Sequence, residues 1–263
     1  MMPSRRCARW VPTDGLEPGS VHLREFTRGL ADGVVQLVMP GRCAVCDAVG
    51  RGWLCPGCLQ QCLLPPGPAC GHCGAPWRAH VAGAGCGRCR RFGRPFSFQR
   101  AIGFWEYGAA VRRIVHRLKF NGRRDLAAPL GRLMAADPRI RTCLSLGPDA
   151  LVVPLPARRE ARKRRGYDQA LLLGQSLAHG LSLPCSSRAL VRRRHGSRAQ
   201  AGSSLAARRA QVRGVFSARH WLVAERPVIL LDDVISTGAS VDAAARALLL
   251  AGAQSVSVIA LAT

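Results

Sequence analysis

Acidic side chains are scarce in this chain of 263 residues: 15 Asp and Glu stand against 39 Lys and Arg, for a formal net charge of +24 at pH 7. That excess favours polyanionic partners, whether nucleic acid, anionic membrane or phosphorylated metabolites. Much of it is arginine in a chain also rich in Ala and Gly, as GC-rich coding produces, so the charge alone does not choose among them. Aromatic residues make up only 5%, which argues against an extended platform for stacked bases, although Trp53, Trp77, Phe92, Phe96 and Phe98 lie close together in sequence. No stretch reaches the ~18 uninterrupted apolar residues needed to cross a bilayer. The opening MMPSRRCARWVPTDGLEPGS has no apolar core and no small-residue cleavage site, so it is not a secretory signal. It reads as part of a disordered extension over residues 1–28. LADGVVQLVMP, residues 30–40, is short and reads as a helix packed on the segment after it. A cytoplasmic location, where thiols stay reduced, is the expectation.

Cysteine, by contrast, is plentiful. Of the 12 in the chain, eight form four CxxC pairs: Cys43/Cys46, Cys55/Cys58, Cys70/Cys73 and Cys86/Cys89. A CxxC turn aims two thiolates at one point, and two such turns complete a tetrahedral zinc site. Glycines and prolines in CPGC, GHCGAP and GAGCGRC supply the tight turns. A disulfide scaffold needs an oxidising compartment, and a thioredoxin-type pair needs one CxxC opening a helix rather than four in tandem. Two structural zinc ions are therefore expected, because a segment with so few large apolar groups is held by metal in place of a core. Spacing leaves open whether the pairs combine sequentially or interleave, and Cys62, His72 and His80 are nearby alternative ligands. Arg42, Arg51, Arg78, Arg88, Arg90, Arg91 and Arg94 surround the knuckles, as nucleic-acid contacts or as a solvated basic surface.

After Pro95 the texture changes. FSFQRAIGFWEY, residues 96–107, alternates as a strand or hairpin does. GAAVRRIVHRLKF places Val111, Ile114, Val115 and Leu118 at helical spacing, with His116 on the surface. Asp125 reads as the N-cap of a second helix. ALVVPLP reads as a short buried parallel strand that empties into a basic loop, ARREARKRRGYDQA. LLLGQSLAHG continues as a helix, and a further basic stretch spans residues 191–216. Strand RPVILLDD, helix SVDAAARALLLAG stopped by Gly252, and strand SVSVIALAT complete an α/β pattern with a parallel sheet flanked by helices.

The most informative segment is VILLDDVISTGAS, residues 228–240. An apolar strand ends in Asp232 and Asp233, and Gly238 allows a tight turn into the next helix. Backbone N–H groups of that turn, the helix N-terminus and the hydroxyls of Ser236, Thr237 and Ser240 converge on one anion, with Ile235 and Ala239 completing the turn. The GxxxxGK[ST] pattern of nucleotide hydrolases is missing. Carboxylates beside a phosphate cradle accept hydrogen bonds from vicinal hydroxyls or hold Mg²⁺. Phosphoribosyl pyrophosphate has a phosphate, a diol and a Mg-bound pyrophosphate in that order.

The segment resembles the signature of the type I phosphoribosyltransferases, which implies a ribose role for Asp232 and Asp233 and a 5′-phosphate role for Ile235 to Ser240. With the CxxC pairs, YGAAVRRIVHRLKFNGRRDLA, VVPLPARREARKRRGYDQALLLGQSLA and RAQAGSSLAARRAQVRGVF, the whole order resembles the ComF family, which includes competence protein F and the GntX-type proteins. The resemblance covers residues 30–263. It implies a double zinc ribbon over 29–95 joined to a phosphoribosyltransferase-like domain over 96–263. It also implies a pyrophosphate side near Arg158, Arg165 and the RGYDQ segment, and a mobile loop over Gln200–Arg209. Where the family shows RGFNQ and TTGAT, this chain has RGYDQ and STGAS; the hydroxyls remain, and Asp168 adds a charge. Two functions stay open. One is a phosphoribosyl pyrophosphate- and Mg²⁺-binding glycosyltransferase linked to DNA uptake in natural transformation. The other is a non-enzymatic adaptor that grips single-stranded DNA for the uptake helicase machinery.

Overall fold

The computed structural model of the chain describes residues 41–50, 52–62, 69–76, 86–93, 95–143, 147–193 and 214–263. The extension over 1–28, the helix read at 30–40, His80 and the loop at 200–209 lie outside these residues. The apolar runs become strands β1 (Arg100–Trp105), β2 (Leu151–Pro154), β3 (Leu190–Arg192), β4 (Phe216–Ala218), β5 (Pro227–Val234) and β6 (Ser255–Ala262). The described helices are α1 (Pro56–Cys62), α2 (Gly87–Phe92), α3 (Ala109–Phe120), α4 (Ala127–Ala135), α5 (Pro138–Cys143), α6 (Arg159–Arg165), α7 (Gln169–Leu181), α8 (His220–Val223) and α9 (Ala239–Leu250). Four strands form a parallel sheet in the order β1-β6-β5-β2, while β3 and β4 pair antiparallel.

The chain divides into two compact units: residues 1–64 with 108–117, and residues 65–107 with 118–263. The division separates the two halves of the cysteine block, which the sequence alone groups together. In the first unit, Val45, Trp53 and Leu54 are buried around the first two CxxC turns. Arg117 donates to the carbonyl of Cys43 at 3.3 Å and forks onto the carboxylate of Asp47, which sits at a left-handed φ of 62°.

The second unit holds the sheet. Val153 pairs in register with Leu230, and Leu230 with Val258, so the apolar centres of three strands lie side by side. Val241, Ala244, Ala245 and Leu248 of α9 enter one core with Val228, Leu230, Val256 and Val258. Each fully buried Leu or Val contributes roughly 1.5–3 kcal/mol. On the opposite face, α7 lies so close that a Cβ on Gly174 would fall 2.8 Å from Pro154 and 3.3 Å from Leu231. Helix α4 packs on α7 where Gly131 faces Ser176 and Gly180 faces Ala135.

Of the strand and hairpin readings of residues 96–107, the structure has the single strand β1. Two local expectations change. Asp125 is not an N-cap: it lies in the 3-10 turn Arg124–Leu126, and Arg123 forks onto its carboxylate. The basic loop after β2 is instead helix α6, with no buried residue and closed by Gly166 at φ 79°.

Candidate functional site

Successive side chains of a strand face opposite sides, so the adjacent acids at the end of β5 have different surroundings. Asp233 is 4% exposed. Its Oδ1 pairs with Lys119 Nζ at 2.7 Å, and its Oδ2 accepts from Gln169 Nε2 at 2.9 Å. Gln169 Oε1 accepts from Arg165 Nη1 at 2.8 Å, and the Arg165 guanidinium lies over the Phe120 ring at 5.0 Å. Arg165 Nε is buried without a hydrogen-bond partner. Asp232 is half-buried, and its Oδ1 accepts the N–H of Asp233 at 2.8 Å. Burial first, then the charge of Asp233, pushes the Asp232 carboxyl up to about 7, against the opposing pull of the Asp233 N–H, Lys119 and Arg192.

Beyond β5, the N–H of Ile235 donates to Ala262 O at 3.0 Å. Gly238 at φ 83° then opens α9, and a Cβ there would fall 2.6 Å from the ring of Phe96. Glycine is required here by both backbone and space. Thr237 Oγ1 accepts from the N–H of Ala239 at 3.4 Å, while Ser236 is exposed and Ser240 half-buried. Among the described residues, no carbonyl accepts the N–H groups of Ser236, Thr237 or Gly238. These donors and the open first turn of a helix of 12 residues form a set of positive partial charges.

The basic elements stand nearby in sequence but differ in commitment. Arg158 is exposed and precedes α6. Asp168 is engaged with backbone: its Oδ1 caps α7 by accepting from Ala170 and Leu171, and its Oδ2 accepts from Ala157 at 3.2 Å. Asn caps a helix equally well, but its NH2 could not accept from Ala157 as the second carboxylate oxygen does. A cavity of about 410 Å3 lies at the end of β2, lined by Arg162, Lys163, Tyr167 and Asp168 among others. Arg192 is readable from the sequence only as part of a basic run. It donates to Pro156 O at 3.2 Å and stacks over Phe216 at 4.6 Å. Burial and then Arg158 lower its pKa, while Asp232 raises it. Sequence reasoning singles out neither Lys119 nor Gln169, the second appearing only as the end of the RGYDQ segment. One signal exists for the first: the chain has only two lysines, Lys119 and Lys163.

The cysteines combine sequentially. Cys43, Cys46, Cys55 and Cys58 form one cluster and Cys70, Cys73, Cys86 and Cys89 another, with all Sγ atoms of a cluster within 4.8 Å of one another. Four sulfurs about 2.3 Å from a tetrahedral zinc stand about 3.8 Å apart. The separations of 3.7 Å for Cys43–Cys55 and 3.8 Å for both Cys46–Cys55 and Cys70–Cys89 fit, and Cys73–Cys86 at 3.4 Å is slightly tighter. Each cluster could therefore hold a zinc ion. His72 is no ligand, because its Nε2 meets Phe98 O at 3.0 Å; Cys62 is buried outside both sets, its thiol pushed up to about 12 by burial. No helix among the described residues is long and apolar enough to cross a membrane.

No protein-family model matches the chain. It is 33% identical over 230 residues to the DNA utilization protein YhgH of Escherichia coli K12, covering 84% of this chain and 96% of the relative. The protein of that name in Salmonella typhimurium LT2 is 34% identical over 234 residues, with the same coverage. Competence protein F of Haemophilus influenzae Rd is 29% identical over 227 residues, covering 82% of this chain and 94% of the relative. Among solved structures, glutamine phosphoribosylpyrophosphate amidotransferase from B. subtilis, complexed with ADP and GMP, overlaps 52% of this chain at 23% identity and a TM-score of 0.35. The overlap spans about a quarter of that solved chain, 26%.

Proposed function

Because the chain belongs to the ComF family, together with DNA utilization protein YhgH and competence protein F, we propose that it binds phosphoribosyl pyrophosphate with Mg²⁺ at the carboxyl end of β5, in the service of DNA uptake. The observation that carries this reading is the juxtaposition of the unpartnered N–H groups of Ser236, Thr237 and Gly238 with the half-buried carboxylate of Asp232. The cradle takes the 5′-phosphate through the backbone from Ile235 to Ser240. Asp232, with an oxygen to spare, accepts from the ribose hydroxyls, while Asp233 holds the strand end through Lys119 and Gln169. Mg²⁺, when bound, neutralises the pyrophosphate oxygens and eases their departure from C1. Arg158, Arg165 and Arg192 supply the remaining positive charge on that side. The protein's contribution is positioning and charge stabilisation.

An ionised Asp232 accepts from a hydroxyl more strongly than a neutral one, and burial pushes its carboxyl up to about 7. Affinity for phosphoribosyl pyrophosphate with Mg²⁺ is expected to fall as pH drops below 7, by up to about tenfold per unit. Asp232→Asn is expected to weaken binding about 100-fold and to flatten this part of the pH profile. Calorimetry on both proteins between pH 5.5 and 8 decides it; no heat from the wild type at any pH overturns the reading.

A second reading, a grip on single-stranded DNA, is favoured by Trp221, which is 74% exposed with the Arg219 guanidinium 5.6 Å from its ring centre. A base stacked there gains roughly 1–3 kcal/mol. Trp221→Ala is therefore expected to weaken oligo(dT) binding about tenfold in fluorescence anisotropy without changing the salt slope. An unchanged affinity removes Trp221 from the contact.

A further inference from the structure

Arg88 stands between two cysteines of the second cluster, Cys86 and Cys89. Its guanidinium bridges two carbonyls: Nη1 donates to Cys73 O at 3.1 Å and Nη2 to Ile235 O at 3.2 Å. One acceptor belongs to a metal-ligating residue and the other is the first carbonyl of the phosphate cradle. Two more contacts run from the same segment to the start of α9. The N–H of Ser97 donates to Asp242 Oδ1 at 2.7 Å, and the Phe96 ring fills the space that a Cβ on Gly238 would need. Phe96 stacks on Phe92 of α2 with ring centres 4.0 Å apart.

The peptide group is planar and trans, so the carbonyl of Ile235 and the N–H of Ser236 point in opposite directions from one rigid plate. Fixing that oxygen on a guanidinium fixes where the next N–H is aimed. A planar fork can hold two carbonyls in this way; a point-charge ammonium holds one well. Helix α2 has six residues and is too short to hold itself, so its register depends on the cysteines that begin and interrupt it.

We propose that Arg88 is a positioning residue through which the second four-cysteine cluster aims the Ser236 N–H, so that metal held by Cys70, Cys73, Cys86 and Cys89 sets how tightly the cradle takes a phosphate group. The affinity part rests on the cradle being a phosphate site, as proposed above; the geometric part does not. The first cluster belongs to the other compact unit.

Hydrogen exchange of the peptide covering residues 235–242, zinc content, and calorimetry with pyrophosphate and with phosphoribosyl pyrophosphate plus Mg²⁺ test this on the full chain. Arg88→Ala is expected to keep the zinc content of the wild type, to speed exchange of the hydrogen-bonded N–H groups of Ile235, Ala239 and Asp242 about tenfold and to weaken both ligands about tenfold. Arg88→Lys, which keeps the charge but not the planar fork, should fall between Arg88→Ala and wild type in both readouts. Cys55→Ser, in the first cluster, should lose one zinc and leave exchange in 235–240 unchanged. Wild-type exchange in Arg88→Ala, or equal loosening in Cys55→Ser, overturns the proposal. If the wild type binds neither ligand, the phosphate reading and the affinity part fall together, and the exchange data alone decide the Arg88 geometry.

Discussion

Cys73→Ser is expected to hold one zinc ion fewer than the wild type, and to abolish cooperative unfolding of residues 65–107 and 118–263. Cys73 is fully buried and belongs to one core with Phe92, Phe96, Phe98 and the strands of the sheet. A structural zinc contributes roughly 10–16 kcal/mol to small zinc-dependent modules. A domain's whole stability is about 5–15 kcal/mol. Even a fraction of the metal term exceeds the margin, and the aromatic seam is lost with it. Elemental analysis and scanning calorimetry check both parts. Two zinc ions in the variant, or an unchanged melting transition, would sink the expectation, as would a wild-type protein that folds metal-free.

The neighbouring acids are expected to respond in opposite senses to removal of their charge. Asp233→Ala strands Lys119, whose side chain is 23% exposed, and leaves the Gln169 amide without its acceptor. Breaking a buried pair from one side costs about 3–5 kcal/mol; with Lys119 partly in water, a loss of about 3 kcal/mol is expected. Asp232 behaves differently. Its folded pKa of about 7 is raised above the ordinary carboxylate value, so its stabilising contribution is fully present at low pH and fades as pH rises through 7. Asp232→Asn is therefore expected to be near neutral at pH 5 and stabilising at pH 8, by about 2 kcal/mol after allowance for solvent screening. Urea denaturation at the two pH values reads both variants. A destabilised Asp232→Asn at pH 8, or a neutral Asp233→Ala, would reverse the assignment of roles.

Much of the fold is legible because local and global signals agree. The runs LVVP, PVILLDDV and SVSVIALA are too apolar for surface positions, and each forms a parallel strand, LVVP at one end of the sheet order. The CxxC spacings likewise identify the ligands, although only coordinates show that pairs combine in sequence. The hidden part depends on contacts between distant residues. Gln169 reads only as the end of the RGYDQ segment, and nothing local says that its amide meets Asp233, 64 positions away. Arg88 is one arginine among many around the knuckles, and only its fork across Cys73 and Ile235 distinguishes it. The basic run after β2 misleads because charge density suggests a loop, whereas Arg and Lys are good helix formers and Gly166 gives a clean stop.

Lys119 shows where mutational drift in such a chain meets a geometric floor. Codon bias toward guanine and cytosine turns lysine into arginine with little penalty on an open surface. Facing Asp233, the slot admits a slender stem ending 2.7 Å from one carboxylate oxygen, while Gln169 occupies the other. A guanidinium would bring a broader head with five donors to a place with one open acceptor, crowding out the amide that links Asp233 to Arg165. Of the chain's two lysines, Lys163 lies exposed on α6, whereas Lys119 ends on a buried carboxylate.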